Sequence, residues 1–235
     1  MIRSVLRGLA VCGIALAAVA MFSGRGASSA AMVLPAPTVG GELATTAGEE
    51  VAIFSGGCFW GVQAVFQHMK GVTSAVSGYT GGKAKNPSYQ LVSTGTTGHA
   101  ESVRVTFDPS QVSYADLLRV FFSVATDPTE LNYQGPDHGT QYRSALWYTS
   151  EAQKNTATAY IAQLEKAKTY TNKIVTEVKP AQEFYNAEGY HQDYATLHPD
   201  DGYIAINDAP KVVNLKRLFP QLYRGQPVLV GSTQP

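Results

Sequence analysis

The polar and apolar positions of the chain fall into two periods that alternate along its length. Val51-Ala52-Ile53-Phe54 is a short apolar run closed by Ser55-Gly56-Gly57, the pattern of a buried strand. Directly after it, Val62, Val65, Phe66 and Met69 recur at i, i+3, i+4 and i+7, one face of a helix that Gly71 stops. Val72 to Ser77 reads as a second strand, and Gly78, Gly81, Gly82, Asn86 and Pro87 then break the chain into loop. Ala100 to Phe107 is the clearest strand. Ser102, Arg104 and Thr106 share one face; Glu101, Val103, Val105 and Phe107 share the other. Asp108-Pro109 ends it, and Ser113 caps a helix carrying Leu117, Leu118, Phe121 and Phe122. Ala145 to Tyr148 predicts a strand, Glu151 to Lys168 a helix, and Ile174 to Val178 another strand. Strands and helices interleave, so the expected class is α+β: a two-layer sandwich of a mixed sheet with packed helices, built on a ferredoxin-like core.

The first residues follow a different pattern. Arg3 and Arg7 precede an apolar run from Leu9 through Phe22, and small residues from Gly26 to Ala31 follow. A basic start, a short apolar core and a small-residue end make a secretory signal over residues 1–31, with cleavage after Ala30 or Ala31. The run is short for a membrane span, which needs about 20 residues. The expectation is therefore export to the periplasm; the alternative is a membrane anchor formed by the uncleaved segment. Val11 before Cys12 argues against lipid attachment there. Residues 32–48, rich in Pro, Gly, Ala and Thr, read as a linker, and a catalytic domain is expected over 49–235.

Lys plus Arg and Asp plus Glu both number 18, so the net charge is zero and the basic face that a nucleic-acid binder needs is not indicated. Of the two cysteines, Cys12 lies within the signal, which leaves Cys58 alone in the mature chain. A lone thiol in an oxidising compartment is either buried and inert or kept for chemistry. Cys58 stands where the first strand hands over to the first helix, and Phe59 and Trp60 follow it. Unpaired N–H groups and the dipole at a helix start favour thiolate, and two adjacent rings suggest an apolar pocket. Strand parity leaves two readings of Glu101. Its carboxyl is either buried on the apolar face, with its pKa raised so that it can donate a proton, or frayed into water. Tyr79, Tyr89 and Tyr142, each near turn residues, either line a cleft as hydrogen-bond donors or are packing residues with their hydroxyls at the surface. No histidine pair has zinc-site spacing with a cysteine, so no metal is expected. Phosphate-loop, dinucleotide-binding and Gly-x-Ser-x-Gly motifs are absent from the sequence.

Gly57-Cys58-Phe59-Trp60-Gly61, Gly78-Tyr79-Thr80-Gly81-Gly82, Asn86-Pro87-Ser88-Tyr89, Gly98-His99-Ala100-Glu101, Gly139-Thr140-Gln141-Tyr142-Arg143-Ser144 and Tyr190-His191-Gln192-Asp193-Tyr194 stand in order along the chain. In this the sequence resembles the A-type peptide-methionine sulfoxide reductases, over roughly Val51 to Tyr223. The resemblance implies an α+β sandwich and reduction of the S epimer of methionine sulfoxide, free or in proteins. It implies that Cys58 attacks the sulfoxide sulfur and becomes a sulfenic acid, that Glu101 protonates the sulfoxide oxygen, and that Tyr89 and Tyr142 hydrogen-bond that oxygen. Phe59 and Trp60 are implied to hold the substrate's ε-methyl group, and Asp137 to bind or orient groups nearby. It implies no bound cofactor and no metal.

The chain departs from the common pattern of that family in having no cysteine from Gly189 to Pro235, where many members carry cysteines that resolve the sulfenic acid. An external thiol is then expected to regenerate Cys58: a thioredoxin-like protein, a glutaredoxin with glutathione, or a small thiol. Thr126 stands before Asp127-Pro128 where members often have His. The expected partners are oxidised proteins, free methionine sulfoxide and the thiol reductant, and the expected state is a monomer. Two rival readings are a thiol hydrolase using His138 or His191 as base, and a methionine-binding module without turnover.

Overall fold

A computed structural model describes residues 31–232. The proposed signal segment and the cysteine within it lie outside the described residues, except Ala31. The chain runs β1 (Glu50–Gly56), α1 (Phe59–Gln67), β2 (Val72–Thr80), α2 (Tyr89–Ser93), β3 (Ala100–Phe107) and α3 (Tyr114–Val120), which passes into a π-turn at Phe121–Ala125. The short pair β4 (Tyr133–Gln134) and β5 (Asp137–His138) follows. Then come β6 (Ser144–Tyr148), α4 (Glu151–Lys166), β7 (Glu177–Pro180), β8 (Tyr185–Asn186), α5 (Tyr194–Leu197) and α6 (Ala209–Leu218).

The main sheet has the order β7-β6-β1-β3-β2-β8. Its four central strands are mutually antiparallel, and α1 and α3 cross between non-adjacent strands, which is the ferredoxin-like core. β7 joins β6 in parallel and makes the sheet mixed. The alternation read in Ala100–Phe107 is realised: Glu101, Val103, Val105 and Phe107 are buried, while Arg104 and Thr106 are partly exposed. On the buried face the Phe54 ring packs at a tilt against Phe66 and Phe121, at centroid distances of 4.6 and 5.2 Å. Ile53, Ala100, Ala145 and Trp147 form a smaller cluster on the opposite face. Ser113 accepts the Asp116 N–H while Asp116 reaches back to Ser113, a capping box at the expected position.

Two expectations are corrected. The strand expected over Ile174 to Val178 lies instead at Glu177–Pro180. Ile174 is used for packing, and register with β6 begins only at Ala145 opposite Glu177. Tyr79 lines no cleft: it is wholly buried, and its hydroxyl donates to Glu188 Oε2 at 2.9 Å.

Residues 32–48 have no helix or strand, in keeping with their composition, but they are laid against the domain. Leu34 is 1% exposed. Its N–H donates to Ser123 Oγ at 3.3 Å, its carbonyl accepts from Arg119 Nε at 2.8 Å, and Tyr160 Oη donates to the Pro35 carbonyl at 2.9 Å.

Candidate active site

β1 delivers the chain to the site and a glycine turns it. Gly57 has φ +90°, a conformation that costs a side-chain-bearing residue strain. Cys58 follows as the N-cap of α1, 8% exposed and without a disulfide. Glu101 lies on β3, paired across from Tyr79 on β2, and is 3% exposed. Its Oε2 accepts the N–H of Phe59 at 3.1 Å, one of the donors that the first turn of a helix leaves without an internal partner. This settles the two readings of Glu101 in favour of the buried one.

Burial pushes the Glu101 carboxyl up to about 8; the Phe59 N–H pulls the other way, and Asp137 and Asp208 add to the rise. At neutral pH the group is largely protonated and can donate. Cys58 is also raised well above the ordinary thiol value, first by burial and then by Glu101 and Asp208, against opposition from the Trp60 N–H and Lys211. The expectation of a ready thiolate at a helix start is therefore corrected. The Phe59 N–H is taken by Glu101, and desolvation outweighs what the helix end still offers.

The two phenols stand around this pair. Tyr89 begins α2 behind the Ser88 cap, and its N–H donates to Glu188 Oε1 at 2.8 Å. Tyr142 ends a 3₁₀ turn at Thr140–Tyr142. Both hydroxyls are raised first by burial and then by the Glu101 charge, and both also feel Cys58, so each remains a donor at neutral pH. Asp137, on β5, accepts a short hydrogen bond from the Tyr203 hydroxyl.

Phe59 is buried, its ring 5.1 Å from His191 and 5.8 Å from Tyr79. Trp60 is only half-buried. It stacks on Tyr194 at 4.0 Å and 15°, meets Tyr203 edge-on at 6.0 Å, and donates from Nε1 to His191 Nδ1 at 3.2 Å. Phe59 thus forms a floor, and Trp60 the accessible apolar wall. A cleft of about 290 Å³ opens at Cys58 and runs past Asp137, Tyr203 and Lys211 toward Thr126 and Met32. Glu101, the two phenols and the Phe59-Trp60 pair lie outside its wall, which gives the thiol an acid side and a cleft side.

Sequence reasoning passed over Glu188, Tyr203, Asp208 and Lys211. Glu188 holds both Tyr79 and the start of α2, and its neighbourhood beside Tyr190-His191 was the one local hint. Among the described residues, no imidazole hydrogen-bonds Cys58. His191 is engaged by Trp60 and has its basicity lowered by burial, while His138 is exposed and stacked on Tyr133.

The family model of peptide methionine sulfoxide reductase matches residues 50–222. The chain is 60% identical over 185 residues to peptide methionine sulfoxide reductase MsrA 2 of Mesorhizobium japonicum, covering 79% of this chain and 95% of that protein. It is 44% identical to the MsrA 2 of Synechocystis sp., covering 83% and 92%. Among solved structures it is similar to reduced Mxr1 of Saccharomyces cerevisiae, with a TM-score of 0.60 and 31% identity over 69% of this chain and 95% of that one. Methionine sulfoxide reductase A of Corynebacterium diphtheriae aligns with a TM-score of 0.56 and 34% identity, over 74% and 87%.

Proposed function

The chain belongs to the peptide methionine sulfoxide reductase family, an oxidoreductase family of methionine repair, and from that premise we propose that it reduces the S epimer of methionine sulfoxide, free or in proteins, through a sulfenic acid on Cys58. The observation that carries this reading is the buried, proton-holding Glu101 fastened to the helix turn that starts at the thiol.

The sulfoxide oxygen enters between Glu101, Tyr89 and Tyr142. A sulfoxide sulfur is a weak electrophile until its oxygen is protonated, and a neutral carboxylic acid with two phenolic donors supplies that. Glu101 gives its proton to the oxygen and receives the Cys58 proton in exchange, so the thiolate forms only as it attacks. The S–O bond of the substrate breaks, the hydroxyl passes to Cys58 as Cys–SOH, and methionine leaves. Trp60, over the Phe59 floor, holds the methyl group and so selects the hand of the sulfoxide. Asp137 and Tyr203, tied by their short hydrogen bond, orient the cleft wall beside the acid.

Cys58 is the free thiol among the described residues, and no cysteine stands from Gly189 to the end of the sequence. A second thiol must come from outside: a thioredoxin-like protein, a glutaredoxin with glutathione, or a small thiol. It attacks the sulfenic sulfur, releases water and leaves a mixed disulfide that a further thiol reduces. The basic start and short apolar run support export, with residues 49–235 as the catalytic unit acting as a monomer on oxidised proteins.

The test is turnover of the separate S and R epimers of dabsyl-methionine sulfoxide with a panel of thiol donors. The proposal expects consumption of the S epimer alone. A thiol hydrolase or a binding module leaves both untouched.

A further inference from the structure

Asp208 and Lys211 take no part in the chemistry above, yet both face the first turn of α1. Asp208 closes a π-turn at Ile204–Asp208 and stands just before α6, and its side chain is 0% exposed. Its Oδ1 lies 3.1 Å from Lys211 Nζ, while its Oδ2 is buried with no hydrogen-bond partner among the described residues. The carboxylate sits directly over Gly61. A Cβ at that position would collide with Asp208 Oδ1 and come within 3.0 Å of Lys211 Cδ. The bare backbone at Gly61 therefore admits the pair, three residues beyond the nucleophile. Lys211, 22% exposed, lies along this surface and enters the wall of the cleft onto which Cys58 opens.

As a stability device this arrangement is poor. Burying an ion pair gains little net free energy, and a bare carboxylate oxygen loses more. Its value lies in where it stands. The ionisable groups around Cys58 are Glu101 and Asp208, which oppose its ionisation, and Asp137, Tyr89, Tyr142 and Tyr203, which crowd the same site. Lys211 supplies positive charge.

We propose that Lys211 is the positioning cation of the reaction, stabilising the Cys58 thiolate as it attacks, and that Asp208 and the missing side chain at Gly61 hold it there. The proposal rests on the reading of Cys58 as the attacking thiol and adds a residue that sequence motifs did not mark.

The experiment is alkylation of the reduced full chain by iodoacetamide across a pH series, with steady-state turnover of methionine S-sulfoxide measured in parallel. Lys211→Met keeps the apolar stem and removes the charge. It is expected to slow alkylation about threefold at a fixed pH and to move the profile up by about half a pH unit, because the pull of Lys211 on the thiol is weaker than the opposing push of Asp208. kcat should fall by a similar factor with KM little changed, and Lys211→Arg should restore most of both. An unshifted alkylation profile in Lys211→Met overturns the proposal even if turnover falls, because that loss would be structural. If Lys211→Met fails to fold, Lys211→Gln, which keeps a polar tip for Asp208 without the charge, carries the same readout. Absence of sulfoxide turnover in the unaltered protein would instead overturn the reading beneath it, and the alkylation data would stand apart from that failure.

Discussion

The backbone N–H of Phe59 donates to Glu101 Oε2 across 3.1 Å, so the acid on β3 is fastened to the first turn of the helix whose N-cap is Cys58. One hydrogen bond thus ties the carboxyl to the helix start that carries the thiol. It also takes away a donor that would otherwise favour thiolate. At neutral pH the site holds two buried acids, both shifted toward the neutral form, rather than an ion pair.

Glu101→Gln keeps the shape and an acceptor for the Phe59 N–H but removes the proton. Sulfoxide reduction should fall by roughly a hundredfold to ten-thousandfold. Above about pH 8, where Glu101 is charged, Cys58 should at the same time alkylate faster, because a charge that opposes its ionisation is gone. Turnover assays and iodoacetamide kinetics on one preparation check both directions; a turnover rate equal to that of the unaltered enzyme removes Glu101 from the mechanism.

The same group sets a pH dependence. Its folded value is raised from 4.5 to about 8, so the fold retains a proton that the unfolded chain releases. Its contribution to stability is complete below about pH 4.5 and is lost as the pH rises through about 8. Activity that needs the protonated acid should decline over the upper part of that window. Thermal melts should show Glu101→Gln stabilised relative to the parent by roughly 4 kcal/mol at pH 8 and little changed at pH 4. Equal differences at both pH values would contradict the raised value.

In the proposed mechanism Tyr89→Phe and Tyr142→Phe each remove one donor to the sulfoxide oxygen. Each should lower kcat about tenfold, and the double variant by less than the product of the two, since both act on one oxygen with Glu101. Full additivity in the double-mutant cycle would mean that they act at separate places.

Trp60→Ala removes the accessible wall that stacks on Tyr194. KM for methionine S-sulfoxide should rise about tenfold, near 1.4 kcal/mol of binding, with a smaller change in kcat. An unaltered KM argues against a methyl pocket at Trp60.

Leu34→Ala tests whether residues 32–48 belong to the folded unit. A fully buried leucine truncated to alanine should cost about 2–3 kcal/mol in urea unfolding. A change below about 0.5 kcal/mol would mark the segment as a loose strap.

Much of this architecture is legible in the sequence, because it rests on local periodicity. Alternation over Ala100–Phe107 identifies β3 and puts Glu101 on the face of Val103, Val105 and Phe107, while leaving open whether its carboxyl is buried or frayed into water. Ser113 and the spacing of Leu117 and Leu118 identify α3, and the glycines before Cys58 mark the turn. What local pattern does not carry is contact between distant segments. The Phe59 N–H is claimed by a residue 42 positions away, so a helix-end argument for thiolate misses the partner that defeats it. Tyr203 finds Asp137 across 66 positions, and Asp208 meets Gly61 from the far end of the chain. Leu34 lies in a stretch of loop composition, and only contacts with the distant Arg119 and Ser123 make it core. Ile174 looks like strand because it is β-branched, yet its side chain serves packing while pairing starts later.

The central claim is that one cysteine takes the oxygen and waits for an outside thiol. The direct measurement is intact-mass and peptide mass spectrometry of the reduced protein after one equivalent of methionine S-sulfoxide with no added thiol. The predicted result is one methionine formed per protein and a single added oxygen on Cys58, captured by dimedone and discharged by dithiothreitol. A protein that gains no oxygen, or that loses two hydrogens to an internal disulfide, would contradict it.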